Sequence, residues 1–189
     1  LVHRYAGHTS GTSTYTAWQY IPTGYTGLSY FIMLNTYVTA GGAKDWSVQF
    51  NFDGATGLIG GNFGGAAITT IPYVLDQWVP IEVVVYLDND WVKIFYNGTE
   101  LDDPAVPDDP ILGGGYQWTG GVFGGGTTGV LNIGAVDLFA NGASSIYYDD
   151  ISLTPMIPCL QSDVIAISET TGGQANFTLN SGQENAFRN

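Results

Sequence analysis

The chain has 189 residues, 17 acidic and only four basic side chains, a net charge of −13, and a charged content of 11%, against about 25% in an average soluble domain. So few cations cannot neutralise a run of phosphates or an anionic bilayer surface, which argues against nucleic-acid and membrane-surface partners. An aromatic content of 14% and 27 glycines argue against disorder and against helical bundles, and leave an acidic, glycine-rich β protein.

Along the chain, alternation with a period of two dominates. Residues 15–21 put Tyr15, Ala17, Gln19 and Ile21 on one face and Thr16, Trp18 and Tyr20 on the other, before Pro22 and Gly24 end the strand. Residues 29–38 form a long β-prone run closed by Gly41-Gly42. In residues 46–52 the pattern places Trp46, Val48, Phe50 and Phe52 on one face. Residues 56–63 and 67–75 read as shorter, interrupted strands. The clearest element is a meander: 78–87 with Ile81, Val83, Val85 and Leu87 on one face, an Asp88-Asn89-Asp90 turn, a return over 91–96, and a second turn at Asn97-Gly98, a strong short hairpin signal.

Residues 102–129 break the pattern, first as an acidic, proline-containing surface loop and then as a glycine-rich stretch with embedded aromatics. Strands resume over 130–139 and 145–153. The expectation is an all-β, two-sheet antiparallel sandwich over residues 1–156. Residues 157–189 turn polar and read as a linker, a tail or the start of a second small β module, with short strands over 164–168 and 175–179. There is no apolar run of about 18 residues, so no membrane insertion is expected. Nothing at Leu1 reads as a leader, which fits a mature or excised fragment. Cys159 is the single cysteine, so no internal disulfide can form. It reads as a small buried hydrophobe, with pairing outside the chain as the alternative.

Three segments occur in a telling order: Gln77-Trp78-Val79-Pro80-Ile81-Glu82-Val83, then Lys93-Ile94-Phe95-Tyr96-Asn97-Gly98, then Tyr147-Tyr148-Asp149-Asp150-Ile151-Ser152-Leu153. Their order and spacing over residues 14–154 resemble the laminin G-like or concanavalin A-like jelly rolls of exported bacterial proteins. Residues 162–189 resemble the opening of a small C-terminal module appended to such proteins. The resemblance implies a jelly-roll sandwich and a secreted or cell-surface location. It also implies a choice among sugar-binding modules, adhesion domains, glucanases and lyases, so fold alone leaves the function open.

Chemistry narrows that choice. The glucanases of this fold carry three acids at alternate strand positions. Here the nearest match, Glu100-Leu101-Asp102, meets Pro104 where the third acid would stand. A lyase needs a basic cluster that four scattered cations cannot build, and His3 and His8, flanking Arg4, have no convergent third group. No G-x-S-x-G nucleophile motif is present. A non-catalytic role is therefore expected. In jelly-roll carbohydrate modules an acidic pair matching Asp149-Asp150 contributes to a structural calcium site, so the resemblance offers Ca²⁺ as a cofactor there, the alternative being one aspartate hydrogen-bonded to a neighbouring loop and the other exposed. Asp88 and Asp90 form a second oxygen-rich turn, which is also ordinary turn chemistry. For a sugar, planar aromatics are needed, and Tyr116, Trp118 and Phe123 on the glycine-rich segment are the first candidates, with Tyr25 and Tyr37 beside turns as the second. Trp18, Trp46, Trp78 and Trp91 are assigned to core or sheet positions. The expected role is extracellular recognition or adhesion, with a glycan or cell-surface polymer as partner. The alternative is a structural subunit contacting identical subunits, in which residues 160–189 add a strand to a neighbour's sheet. A polysaccharide-active enzyme stands third.

Overall fold

The computed structural model describes residues 1–39, 41–63, 66–67, 70–102, 107–120, 129–156, 168–169 and 175–176. The chain divides into two compact units, Leu1–Met156 and Ile157–Asn189. In the first unit the strands are, in chain order, β1 (Val2–Arg4), β2 (Thr12–Tyr20), β3 (Leu28–Tyr37), β4 (Lys44–Asp53), β5 (Leu58–Phe63), β6 (Ala66–Ala67), β7 (Ile71–Pro72), β8 (Trp78–Tyr86), β9 (Trp91–Tyr96), β10 (Thr99–Glu100), β11 (Tyr116–Gln117), β12 (Ala135–Asn141) and β13 (Tyr147–Met156). A single 3₁₀ turn, Leu87–Asn89, is the one helical element among the described residues, and no helix there is long and apolar enough to cross a membrane.

The strands form two antiparallel sheets. The first runs β1-β12-β3-β4-β5-β6, with β7 also on β5; the second runs β10-β9-β8-β2-β13, with β11 also on β9. The chain crosses between sheets at β1 to β2, β2 to β3, β7 to β8, β11 to β12 and β12 to β13. The fold is therefore a two-sheet jelly-roll sandwich, and two pairings of the second sheet, β2 with β8 and β2 with the edge strand β13, join distant segments.

The alternation explains the core. Tyr15, Ala17 and Gln19 of β2, Val79, Ile81, Val83 and Val85 of β8, and Val92, Ile94 and Tyr96 of β9 point inward from the second sheet and are buried. Phe31 and Met33 of β3, Val48, Phe50 and Phe52 of β4, and Ile59 of β5 meet them from the first. Phe31 and Phe50 stack with centroids 4.8 Å apart. The core is also rich in phenols: Tyr15, Tyr25 and Tyr96 are buried and Tyr5, Tyr73 and Tyr148 pack against them. Desolvation holds all six hydroxyls above the ordinary tyrosine range.

One sequence expectation fails for a clear reason. Trp46 does not share a face with Val48, because the β3–β4 register slips on either side of Leu34, which faces Trp46 while Met33 faces Val48. The residues left over are Asn35 and Ser47, both buried, and Asn35 Nδ2 donates to Ser47 Oγ at 3.0 Å. This bulge satisfies its own polar groups and turns Trp46 to the outer face. There it packs with Tyr30 and Tyr37 over Ile32, Leu34 and Ala135. The expected strand over 67–75 is reduced to β6 and β7, and the expected 130–139 and 145–153 shift to 135–141 and 147–156. In the second unit, β14 (Ser168–Glu169) pairs antiparallel with β15 (Ala175–Asn176). Cys159 and the rest of the tail lie outside the described residues.

Candidate functional site

Two residues of the expected aromatic platform, Tyr116 and Trp118, are part of the core instead. Gly115, at φ +118°, lets the chain come within 2.4 Å of the Val92 carbonyl, measured from where a Cβ would sit, so β11 can pair with β9 in the register Tyr116↔Val92. Asp90 then ties the segment down. Its carboxylate accepts from Thr119 N at 2.8 Å, Thr119 Oγ1 at 2.6 Å and Gln117 Nε2 at 2.8 Å, and its backbone carbonyl accepts from Trp118 N at 3.0 Å. The alternation of β11 drives Tyr116 and Trp118 inward, leaving them 1% and 0% exposed, and Trp118 Nε1 donates to the Asn132 carbonyl at 3.1 Å. Rings enclosed on both faces cannot stack on a sugar. Phe123 lies outside the described residues.

The secondary candidates divide. Tyr25 is buried, donates to the Phe52 carbonyl at 3.0 Å and meets Tyr73 edge-on at 5.8 Å, so it too is a core residue. Tyr37 is half-buried on the outer face of the first sheet, with the Lys44 ammonium 5.7 Å from its ring.

Among the described residues no three or more His, Cys, Asp or Glu side chains come together in a way that could hold a metal ion. Asp88 accepts from Gly11 N at 2.9 Å, and Asp90 is engaged as above. Asp149 and Asp150 are exposed at a bulge in β13, where Asp150 adopts φ +47° and donates its N–H to Asp149 Oδ1 at 2.8 Å. The acids examined for hydrolysis have partners of their own. Glu100 pairs with Lys93 at 3.2 Å, and Asp102 accepts from Gly115 N at 3.2 Å. His3 and His8 stand on either side of Tyr5, with ring centroids 4.7 and 6.2 Å from it.

The second sheet's outer face carries two of the tryptophans expected at core or sheet positions, Trp18 and Trp78, among other rings. Alternation puts Thr16, Trp18 and Tyr20 of β2 outward, with Trp78, Pro80 and Glu82 of β8 beside them. Pairing aligns Tyr20 with Trp78 on one side and Tyr147 on the other, and Trp18 with Pro80 and Asp149. The result is a strip of rings across three strands. Trp18, Trp78 and Tyr147 are 42%, 46% and 54% exposed. Tyr20, half-buried between its neighbours, lies 5.5 Å from Trp78 and 6.3 Å from Tyr147 by centroid.

Polar groups border the strip. Tyr20 Oη donates to Asp76 Oδ1 at 3.5 Å. Asp76, at φ +57°, also accepts from Thr23 N at 2.7 Å and from the Thr23 hydroxyl. These Thr23 hydrogen bonds to the charged form hold its carboxyl below the usual range. Thr16 and Ser152 share a hydroxyl hydrogen bond at 2.8 Å. A depression of about 260 Å³, lined by Pro80, Glu82, Phe95 and Gly98, adjoins the strip. Larger apolar hollows lie elsewhere, along the β1, β12 and β13 side of the sandwich. A signal for the strip was present in sequence: Trp18 and Tyr20 alternate with buried residues, and so does Trp78. What the sequence lacked was the pairing that makes them neighbours.

No protein-family model and no curated protein matches the chain. Among solved structures it is similar to part of a sialidase, with TM-score 0.52 and 8% identity over 82% of this chain and 14% of that one. It is also similar to the carbohydrate binding module CBM66 from Bacillus subtilis (TM-score 0.41, 12% identity, 77% of this chain and 76% of that one). A third similar structure is the galectin LEC-6 of Caenorhabditis elegans (TM-score 0.42, 12% identity, 82% and 88%). At these identities the likeness is one of fold, and the fold is the all-β, two-sheet, concanavalin A-like sandwich described above.

Proposed function

We propose that the chain is a non-catalytic, extracellular glycan-binding module, and that Trp18, Tyr20, Trp78 and Tyr147 form its sugar-binding surface. The observation that supports this is the exposure of two indoles and a phenol in one strip on a sheet face. Burying such rings is favoured by the hydrophobic effect, and keeping them wet in the free protein stores that energy for a ligand. The C–H face of a pyranose is a flat apolar partner for a ring, and carboxylates and hydroxyls at the border can accept and donate to sugar hydroxyls. A rigid sheet holds the rings in place, so little ordering entropy opposes binding.

The test is calorimetric titration and polysaccharide depletion with the whole chain against neutral glucan, mannan and galactan. Trp18→Ala and Trp78→Ala should each weaken binding at least tenfold, about 1.4 kcal/mol, while leaving the melting temperature within about 2 °C of the parent, a shift worth less than about 1 kcal/mol. Absence of binding to every glycan, or binding unaffected by both substitutions, would sink the proposal.

A second reading, a subunit that assembles with its own copies, draws on β13. Among the described residues this ten-residue strand is paired on one side only, with Tyr147, Ile151 and Met156 exposed. Long open edges invite strand addition. The bulge between Asp149 and Ser152 and the two aspartates interrupt that edge in its middle, which is how natural sheets discourage it. We therefore rank assembly second. Concentration-dependent polymers in sedimentation velocity, abolished by removing residues 157–189, would reverse the order.

A further inference from the structure

We infer that the aromatic strip selects neutral glycans and rejects anionic ones such as uronans, a specificity that rests on the glycan-binding reading above. The groups that border the strip carry one sign of charge. Asp149 lies directly across from Trp18, and Asp150 follows it at the bulge. Glu82 stands two residues beyond Pro80 on the same outward face of β8, opposite Thr16. Asp76 touches Tyr20 and is held in its ionised form by Thr23.

The cations are elsewhere or occupied. Arg4 and Lys44 belong to β1 and β4 of the other sheet. Lys93 shares the sheet with the strip, but its ammonium is 3.2 Å from Glu100 Oε1, donates to the Leu112 carbonyl at 3.4 Å and lies over the Phe95 ring at 5.9 Å. Among the described residues, then, three carboxylates, those of Asp76, Glu82 and Asp149, and no free cation border this strip, with Asp150 next to them at the bulge.

Two physical consequences follow. An ionised carboxylate only accepts hydrogen bonds, so the ligand must supply donors, which sugar hydroxyls do and a carboxylate or sulfate does not. The negative field of these groups, within a chain of net charge −13, reaches a ligand on the strip because the Debye length at physiological salt is about 8 Å. Specificity of this kind works by repelling the wrong partner as much as by holding the right one.

The experiment compares matched pairs: β-linked hexasaccharides of glucose, mannose and galactose, each against the same chain oxidised to the carboxylate at C6, titrated into the whole protein at low and high salt. The expected result is that at least one neutral hexasaccharide binds, that its oxidised partner binds at least tenfold more weakly, and that the gap narrows in high salt and in the E82Q/D149N/D150N variant. Those three positions border the strip without filling the core, so the variant should fold. Equal or tighter binding of an oxidised chain, or a gap unchanged in the variant, overturns the charge argument and leaves the glycan-binding reading standing. Binding of neither member of any pair overturns both.

Discussion

Trp118→Ala separates a core role from a ligand role at the residue where the two readings conflict most sharply. Trp118 is fully buried and its Nε1–H is matched to the Asn132 carbonyl. A tryptophan side chain removes about 200 Å² from water, which at about 25 cal/mol per Å² corresponds to about 5 kcal/mol. Partial collapse of the site lowers this, and core tryptophans truncated to alanine cost about 3–5 kcal/mol. The orphaned Asn132 carbonyl adds to the loss. We therefore expect about 4 kcal/mol, a large part of the roughly 5–15 kcal/mol that holds a domain together, and a melting temperature lowered by about 8–16 °C. Urea unfolding followed by circular dichroism gives the free energy, and Trp118→Phe should lose clearly less because it keeps most of the apolar volume. A loss below about 1 kcal/mol would mean that the indole is solvated and would refute the packing described here. Glycan binding measured well below the lowered transition should be unchanged, in contrast to the Trp18 and Trp78 variants.

Three further outcomes are expected. Gly115→Ala forces a side chain into φ +118° with its Cβ 2.4 Å from the Val92 carbonyl; it should cost about 2–3 kcal/mol and abolish amide exchange protection in β11, while protection in β8 persists. Asp90→Asn keeps a residue type that tolerates the left-handed conformation at φ +53° but removes the carboxylate that accepts from Gln117 and Thr119; a loss of about 2 kcal/mol is expected, and a melting temperature equal to the parent's would refute the tether. The buried phenols also set the alkaline limit. Their folded-state pKa values lie above the unfolded value of about 10, so the stability they contribute is complete below that pH and is lost as pH rises through and beyond it. Spectrophotometric titration should show the buried tyrosines ionising as one cooperative group together with loss of the fold. A single non-cooperative titration of all 12 tyrosines would contradict the buried phenol core.

Much of this architecture could be read from local pattern. Alternation puts Tyr15 with Ala17, and Ile81 with Val83 and Val85, on shared faces, and those faces are the buried ones. The Asn97-Gly98 turn follows from two residues that accept positive φ, and they adopt +48° and +76°. Charge scarcity and the lack of a catalytic acid row were also properties of sequence alone.

The location of the exposed aromatics was not. Alternation says that two faces differ, but not which face meets solvent once both carry rings, nor which strands lie side by side. Tyr116 and Trp118 looked available because glycines surround them, yet Gly115 and Asp90 bring that segment onto β9 and seal both rings into the core. Trp18 and Trp78 looked like structural tryptophans, yet β2 and β8 bury their other faces and leave these indoles in water. Sequence determined the strands, their turns and the sign of the charge through interactions between near neighbours. Only the tertiary pairing of β8, β2 and β13, distant segments whose contacts no local period encodes, decided which aromatic residues form a surface and which carboxylates surround it.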